Sequence, residues 1–256
     1  MRPANEEPKA SDLTWSTSSK LASMQRTTVA VPRWKAAVML GAPLLIGSIE
    51  VLHPNAIGLS PEEWVQLIAS LGQRFLVLHV VLLPLWPILG LVLLWMLPRQ
   101  GTASRVSRVA LAAYVVLYPA FDSLVGIGTG VLLDYRSTLT AAGQAVLDPA
   151  IQRIFFDPTG VPELLSIVGS VAWIVAAIAA AVSLWRPAGL RVAVPLVASA
   201  ILMGWGHVWP MGPLATVALA VAAWQFLVHQ QRSARTNSAS ARPTTEARYA
   251  AEPSGN

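Results

Sequence analysis

Long apolar stretches that recur along the chain constrain its fold more than any other feature. A stretch of about 20 mostly apolar residues is enough to cross the ~30 Å hydrocarbon core of a bilayer. Only 12% of the 256 residues are charged, against about 25% in a typical soluble domain. Six spans are predicted, namely Ala36–His53, Phe75–Leu97, Val109–Leu133, Leu164–Trp185, Val192–Trp209 and Leu214–His229. The sequence therefore predicts an all-α, polytopic membrane helix bundle with six transmembrane helices in a lipid bilayer.

The distribution of basic residues predicts the orientation of this bundle. With six spans, Arg74, Arg136 and Arg153 fall on one side of the membrane, and the other fifteen of the 18 Lys and Arg residues fall on the opposite side. Because Lys and Arg collect in cytoplasmic loops, both termini are predicted to be cytoplasmic. The same basic face meets anionic lipid, which accounts for the pI of about 10.1 without a nucleic-acid partner.

The two ends of the chain differ in composition from the predicted bundle. Residues 1–33 and 230–256 are largely polar and lack apolar periodicity, so both are predicted to be disordered cytoplasmic segments that flank a bundle of residues 34–229. Fifteen Arg against three Lys is typical of a GC-rich bacterial genome. We therefore predict a multi-pass protein of the bacterial cytoplasmic membrane.

Two outer loops have the sequence pattern of short interfacial helices. The first begins at Ser60, a helix-capping residue that is followed by Pro61 and two acidic residues. Its apolar residues share one helical face and are Trp64, Leu67, Ile68 and Leu71. The second loop, residues 135–162, is predicted to be helical with a break at Asp148-Pro149.

Five ionisable side chains fall inside the predicted spans or at their ends. They are Glu50, His53, His79, Asp122 and His207. At a rise of ~1.5 Å per helical residue, four of them lie close to the outer surface, and Asp122 lies near the midplane. Charged groups at such depths are costly, so each indicates either a partner or a function. His229 falls at the inner end and does not belong to this group.

The third predicted span carries a polar and small-residue stripe around its acid. The stripe recurs every four residues and consists of Tyr114, Tyr118, Asp122, Gly126 and Gly130. Residues at this spacing share one helical face, and a pair of glycines four residues apart lets a second helix approach closely. The stripe is therefore predicted to face protein.

The five ionisable residues are candidate ligands for a metal ion. With no cysteine in the chain, a metal ligand set is limited to nitrogen and oxygen donors. Glu50 and His53 have the Glu-x-x-His spacing found in metal-carboxylate bundles, although it occurs here once. The sequence predicts a polar cluster of Glu50, His53, His79, Asp122 and His207 in the outer half of the bundle. This cluster would bind a metal ion, a proton or a small ligand.

Several alternatives remain open on the sequence alone. His79 and His207 are predicted at similar depth on different spans and are candidate axial ligands of a haem. An intramembrane metal-dependent hydrolase is a further hypothesis. A non-catalytic membrane subunit or scaffold would instead use the polar residues as interhelical hydrogen bonds and would bind a membrane protein partner or form a homo-oligomer. No nucleotide-binding, nucleophile-elbow or zincin motif is present, so the cofactor and any enzymatic activity are unassigned.

Overall fold

The computed structural model describes residues 31–55, 57–205 and 207–240, and the regular structure in these ranges is helical. The helices are α1 (Arg33–Glu50), α2 (Pro61–Leu71), α3 (Gln73–Leu82), α4 (Leu85–Met96), α5 (Thr102–Asp122), α6 (Thr129–Ser137), α7 (Ala141–Phe156), α8 (Val161–Ala188), α9 (Leu190–Gly204) and α10 (Met211–Ser240). A π-helical turn, Ser123–Gly128, joins α5 to α6. The predicted all-α class is confirmed.

Four helical segments are long and apolar enough to cross a membrane. They are Gln73–Met96, Thr102–Ser137, Ala141–Ala188 and Met211–Ser238. The other two predicted spans coincide with α1, which includes two basic residues and one acid, and with α9, which is shorter. The structure therefore supports a membrane protein with several spans, and the count of six remains a prediction.

The predicted disordered ends lie mostly outside the described residues. Arg33 is already the first residue of α1. At the other end, α10 continues as a helix past His229, where the sequence predicts the end of the bundle, and reaches Ser240. Residues 1–30 and 241–256 are not described, so the predicted disorder of these segments stays a prediction.

The predicted helix after Ser60 is confirmed as α2. The Ser60 hydroxyl accepts a hydrogen bond from the Glu63 backbone N–H, and the Glu63 carboxylate accepts one from the Ser60 N–H. This reciprocal pair satisfies two backbone donors at the start of the helix. The apolar face of α2 packs into a small core built from Trp64, Val65, Ile68, Phe75, Leu133 and Ile151. The helix thus covers α3, which carries His79.

The predicted break at Asp148-Pro149 is wrong, because α7 continues through Pro149. A proline inside a helix loses one backbone hydrogen bond, but two contacts hold this helix in place. The Arg136 guanidinium donates two hydrogen bonds to the Asp148 carboxylate, at 2.5 and 2.9 Å. Ile151 is fully buried against α2 and its neighbours. Tertiary contacts on both sides of Pro149 therefore offset its local cost.

The predicted inward-facing stripe of α5, the π-helical turn and α6 is confirmed. All five of its residues are buried. A Cβ placed on Gly126 would overlap the His79 ring, and one placed on Gly130 would lie 2.9 Å from Leu76 Cα. The two glycines therefore let α3 pack directly against this stripe. That close approach brings His79 beside Asp122.

Candidate metal centre

Three histidines that are distant in sequence meet in the interior of the protein. His53 lies in the turn after α1, His79 lies on α3, and His207 lies between α9 and α10. One ring nitrogen from each histidine lies within 4.8 Å of the others. The His53 ring stands edge to face against both neighbours, with centroid distances of 5.3 Å to His79 and 4.9 Å to His207. All three side chains are buried, so the structure places a compact group of nitrogen donors away from bulk solvent.

Backbone carbonyls fix the orientation of two of these rings. His79 Nδ1 lies 2.7 Å from the Phe75 carbonyl oxygen, and His53 Nδ1 lies 3.2 Å from the Pro54 carbonyl oxygen. Because a carbonyl oxygen only accepts hydrogen bonds, Nδ1 is the donor in both rings. In the neutral imidazole the lone pair is then on Nε2. Metal-binding histidines commonly use this arrangement, in which one ring nitrogen is held by the protein and the other binds the metal.

His207 is oriented by a side chain instead. The Tyr118 hydroxyl lies 2.8 Å from His207 Nδ1, and no described residue forms a hydrogen bond with the buried His207 Nε2. The Trp86 ring packs edge to face against both Tyr118 and His207, with centroid distances of 5.1 and 5.5 Å. As in His53 and His79, Nδ1 is the nitrogen engaged with the protein, which leaves Nε2 for a ligand.

Asp122 places a carboxylate directly beside the histidines. Its Oδ1 lies 3.9 Å from His79 Nε2, and the side chain is 1% exposed. No described residue donates a hydrogen bond to either carboxylate oxygen, although the Trp86 indole lies nearby. Buried carboxylates without partners are rare, because burial removes their hydration without replacing it. A buried carboxylate in this position needs a proton, a water or a cation beside it.

Glu50 is a second buried carboxylate that no described residue hydrogen-bonds. It is the last residue of α1, is fully buried, and accepts no hydrogen bond from a described residue. Both Glu50 and the His207 backbone lie next to Gly212. A Cβ placed on this glycine would overlap the His207 carbonyl and would lie 3.0 Å from Glu50 Oε2. Glu50 is thus packed behind the His207 backbone. Together, Glu50 and Asp122 place two acidic groups around three imidazoles.

A cavity of about 190 Å³ opens onto the histidines. Its polar lining residues are His53, His79, Asp122, Glu163, Ser166 and His207. Its apolar and other lining residues are Leu59, Trp64, Phe75, Phe121, Val125, Gly126, Ile154, Phe155, Phe156, Pro162 and Val208. The histidine end is buried, whereas residues at the end of α7 and the start of α8 are partly or fully exposed. The cavity therefore leads from the α7–α8 corner to the histidines.

The structure brings the five predicted ionisable residues into one region but gives them different positions. His53, His79, Asp122 and His207 line the cavity, and Glu50 lies behind it. Tyr118 was predicted to lie on an inward-facing stripe, but its pairing with His207 was not predicted.

Two further polar residues of the cavity were not predicted from the sequence. Glu163 and Ser166 lie on the first turns of α8 and line the cavity. Their spacing of three residues on one helical face is the local signal that marks them as neighbours, but it does not show which cavity they reach.

The chain matches no known protein-family model, and no curated protein or solved structure is significantly similar to it.

Proposed function

We propose that this chain is a multi-pass protein of the bacterial cytoplasmic membrane in which His53, His79 and His207 bind a divalent metal ion, with Zn²⁺ preferred. The site would lie in the outer half of a six-helix bundle whose termini are both cytoplasmic. The observation that carries the proposal is the convergence of three buried ring nitrogens, from three separate segments, to within 4.8 Å.

The spacing and the type of these donors suit zinc. With Zn–N bonds of about 2.0–2.1 Å, two nitrogens of a tetrahedral site are separated by roughly 3.3 Å. A bound ion would draw the three nitrogens, which lie within 4.8 Å of one another, closer together. Three nitrogen ligands leave the fourth position of the metal for water or substrate, as in catalytic zinc sites. Because the chain has no cysteine, no thiolate of the chain competes with the histidines for the metal ion.

The two carboxylates supply the charge that a divalent cation requires. Glu50 and Asp122 are both buried without hydrogen-bond donors among the described residues. A doubly charged ion at the histidines would offset the charge of Asp122, which lies beside His79, and at longer range that of Glu50, whereas two charged carboxylates alone would repel each other at low dielectric. A bound cation would therefore offset the cost of burying these carboxylates.

The alternatives account for the geometry less well. Interhelical hydrogen bonding would pair the buried polar atoms, yet both carboxylates and His207 Nε2 form no hydrogen bond with a described residue, and Asp122 Oδ1 lies 3.9 Å from His79 Nε2, beyond hydrogen-bond distance. A haem between His79 and His207 would need room for a macrocycle. His53 packs against both of those rings at centroid distances near 5 Å and occupies part of that space.

Metal analysis of the purified full-length protein tests the proposal. Wild-type protein extracted in mild detergent and incubated with Zn²⁺ should retain about one ion per chain after desalting. His79→Ala removes one nitrogen donor and should lower this stoichiometry several-fold. His229→Ala, at the other end of the predicted bundle, is the matched control and should retain the ion. Wild-type protein that retains no metal, or equal metal content in all three proteins, would refute the proposed centre.

A further inference from the structure

We propose, as an extension of the metal centre proposed above, that the cavity binds a long-chain acyl amide or ester and that the centre hydrolyses its acyl bond, with Asp122 as the general base. The shared substrate chemistry is a carbonyl group attached to a long hydrocarbon chain. The proposal combines the shape of the cavity, the chemistry of its walls and the position of one carboxylate.

The cavity is large enough to hold more than a metal-bound water. A single water needs roughly 10–15 Å³ of comparable volume, and this cavity provides about 190 Å³. The excess volume lies directly beside the three histidines and Asp122, which all line it. An organic group can therefore reach the metal centre while a water remains next to it.

The walls of the cavity suit a hydrocarbon chain. Between the histidines and the α7–α8 corner, the lining is mainly aromatic and aliphatic, with Trp64, Phe121, Ile154, Phe155 and Phe156 among its residues. Most of its lining residues belong to helical segments that are long and apolar enough to cross a membrane, so an amphiphile in the bilayer would lie close to the cavity. An apolar pocket with a few polar groups at one end fixes the orientation of such a ligand.

The polar groups are arranged so that a carbonyl group would lie at the buried end. His53, His79 and His207 form that end, with Asp122 beside them. Glu163 and Ser166 line the cavity from the first turns of α8, where both side chains are partly exposed. A hydrocarbon chain along the apolar walls would therefore place its carbonyl carbon near the histidines.

Asp122 is placed to move the proton in this reaction. A metal ion held by the histidines would acidify a bound water and polarise the substrate carbonyl. The Asp122 carboxylate would take one proton from a water at this end of the cavity as the water oxygen bonds to the carbonyl carbon. The carbonyl C–N or C–O bond then breaks, and Asp122 returns the proton to the departing nitrogen or oxygen. The products are a carboxylic acid and an amine or alcohol, so water is the only co-reactant.

Hydrolysis assays with acyl probes test the substrate class. Zinc-loaded full-length protein in detergent micelles is incubated with a fluorogenic palmitoyl amide, a palmitoyl ester and the two acetyl counterparts. At least one palmitoyl probe should be cleaved about tenfold or more faster than its acetyl counterpart, since the apolar walls bind the longer chain. Stoichiometric zinc without cleavage of either palmitoyl probe would refute the hydrolase and leave the metal centre intact. Absence of bound zinc would refute both proposals.

Two variants test the mechanism. Asp122→Asn keeps the size of the side chain and should still bind zinc when Zn²⁺ is in excess, with the lower affinity expected from the loss of one compensating charge. Its kcat at full zinc loading should fall about 10²–10⁴-fold, because the general base is lost. The matched control is Asp134→Asn, which changes an exposed acid on α6 and should have the wild-type rate. A wild-type rate in Asp122→Asn would refute the role of Asp122.

If Asp122→Asn does not fold, as judged by thermal melting, Ile154→Trp provides a second test. This residue is a partly buried part of the cavity wall, so the larger side chain should fill the cavity. Cleavage of the palmitoyl probe should then fall more than tenfold with zinc content unchanged. An unchanged rate would show that the acyl chain does not occupy this cavity.

Discussion

The Tyr118 hydroxyl lies 2.8 Å from His207 Nδ1 and connects α5 to the segment between α9 and α10. For His207 to bind a metal through Nε2, Nδ1 must carry the ring proton, so the tyrosine oxygen accepts the hydrogen bond. Tyr118 would therefore hold the ring of a proposed metal ligand in place, an arrangement that fixes the ring and raises its basicity.

Removal of this hydroxyl should weaken metal binding without removing a ligand. We predict that Tyr118→Phe lowers the Zn²⁺ affinity about 10–100-fold, the usual effect of losing a residue that orients a metal ligand. Competition with a chelator of known affinity measures the change. Tyr135→Phe, which alters an exposed tyrosine on α6, should bind zinc like the wild type. Equal affinities for all three proteins would mean that Tyr118 does not orient His207 for a metal.

Neutralisation of Glu50 should have opposite effects on two properties: the metal-free protein should be at least as stable as the wild type, and zinc should bind more weakly. In the metal-free protein, the buried carboxylate lacks a hydrogen-bond donor among the described residues, and Gln has nearly the same shape without a charge. We predict that metal-free Glu50→Gln melts at or above the wild-type temperature. Its zinc affinity should fall roughly tenfold because one compensating charge is lost.

Thermal melting with and without Zn²⁺ measures both effects, since a ligand that binds only the folded state raises the melting temperature. The increase on adding zinc should be smaller in Glu50→Gln than in the wild type. Glu62→Gln, at an exposed position in the first turn of α2, is the control and should show the wild-type increase. An undiminished increase in Glu50→Gln would contradict an electrostatic role for Glu50.

Reporter fusions should establish the orientation of the bundle. The distribution of Lys and Arg predicts that His229 lies on the cytoplasmic side and that the turn between α7 and α8 lies outside. A fluorescent protein that folds only in the cytoplasm should be bright when fused after His229. An alkaline phosphatase that folds only in the periplasm should be active when fused after Thr159, in that turn. The opposite result at either position would rule out the proposed topology.

Local patterns in the sequence were sufficient to predict individual helices and their buried faces. Ser60 and Glu63 are three residues apart and form the capping pair at the start of α2. The four-residue spacing through Asp122 identified a stripe that is buried along its length. Both features depend on neighbouring residues in one helix, and helical geometry determines their positions before any tertiary contact forms.

Features that depend on contacts between distant segments could not be predicted in this way. The partner of Tyr118 is 89 residues away along the chain, and its identity depends on how α5 and the α9–α10 connection pack. The continuation of α7 through Pro149 depends on the ion pair of Arg136 with Asp148, which overrides a local preference for a break. The shared depth of the three histidines was predictable, whereas the rotation of each ring toward a common point was not.

Gly126 and Gly128 allow a direct test of how the protein positions His79. Both glycines lie in the π-helical turn between α5 and α6. A Cβ on Gly126 would overlap the His79 ring, whereas a Cβ on Gly128 would have its nearest contact, the Ser123 carbonyl oxygen, at an ordinary 3.6 Å. Gly126→Ala and Gly128→Ala therefore make the same chemical change in the same turn. Gly126→Ala clashes with His79, the proposed metal ligand, and Gly128→Ala does not.

We predict that Gly126→Ala displaces α3, lowers the free energy of unfolding by about 1–3 kcal/mol and reduces zinc content. Gly128→Ala should retain zinc at the wild-type level with a much smaller change in stability. Thermal melting in detergent and metal analysis of the same preparations measure the two effects together. If Gly126→Ala retained full zinc content and melted like Gly128→Ala, the close packing of α3 against this turn would not be what holds His79 at the centre.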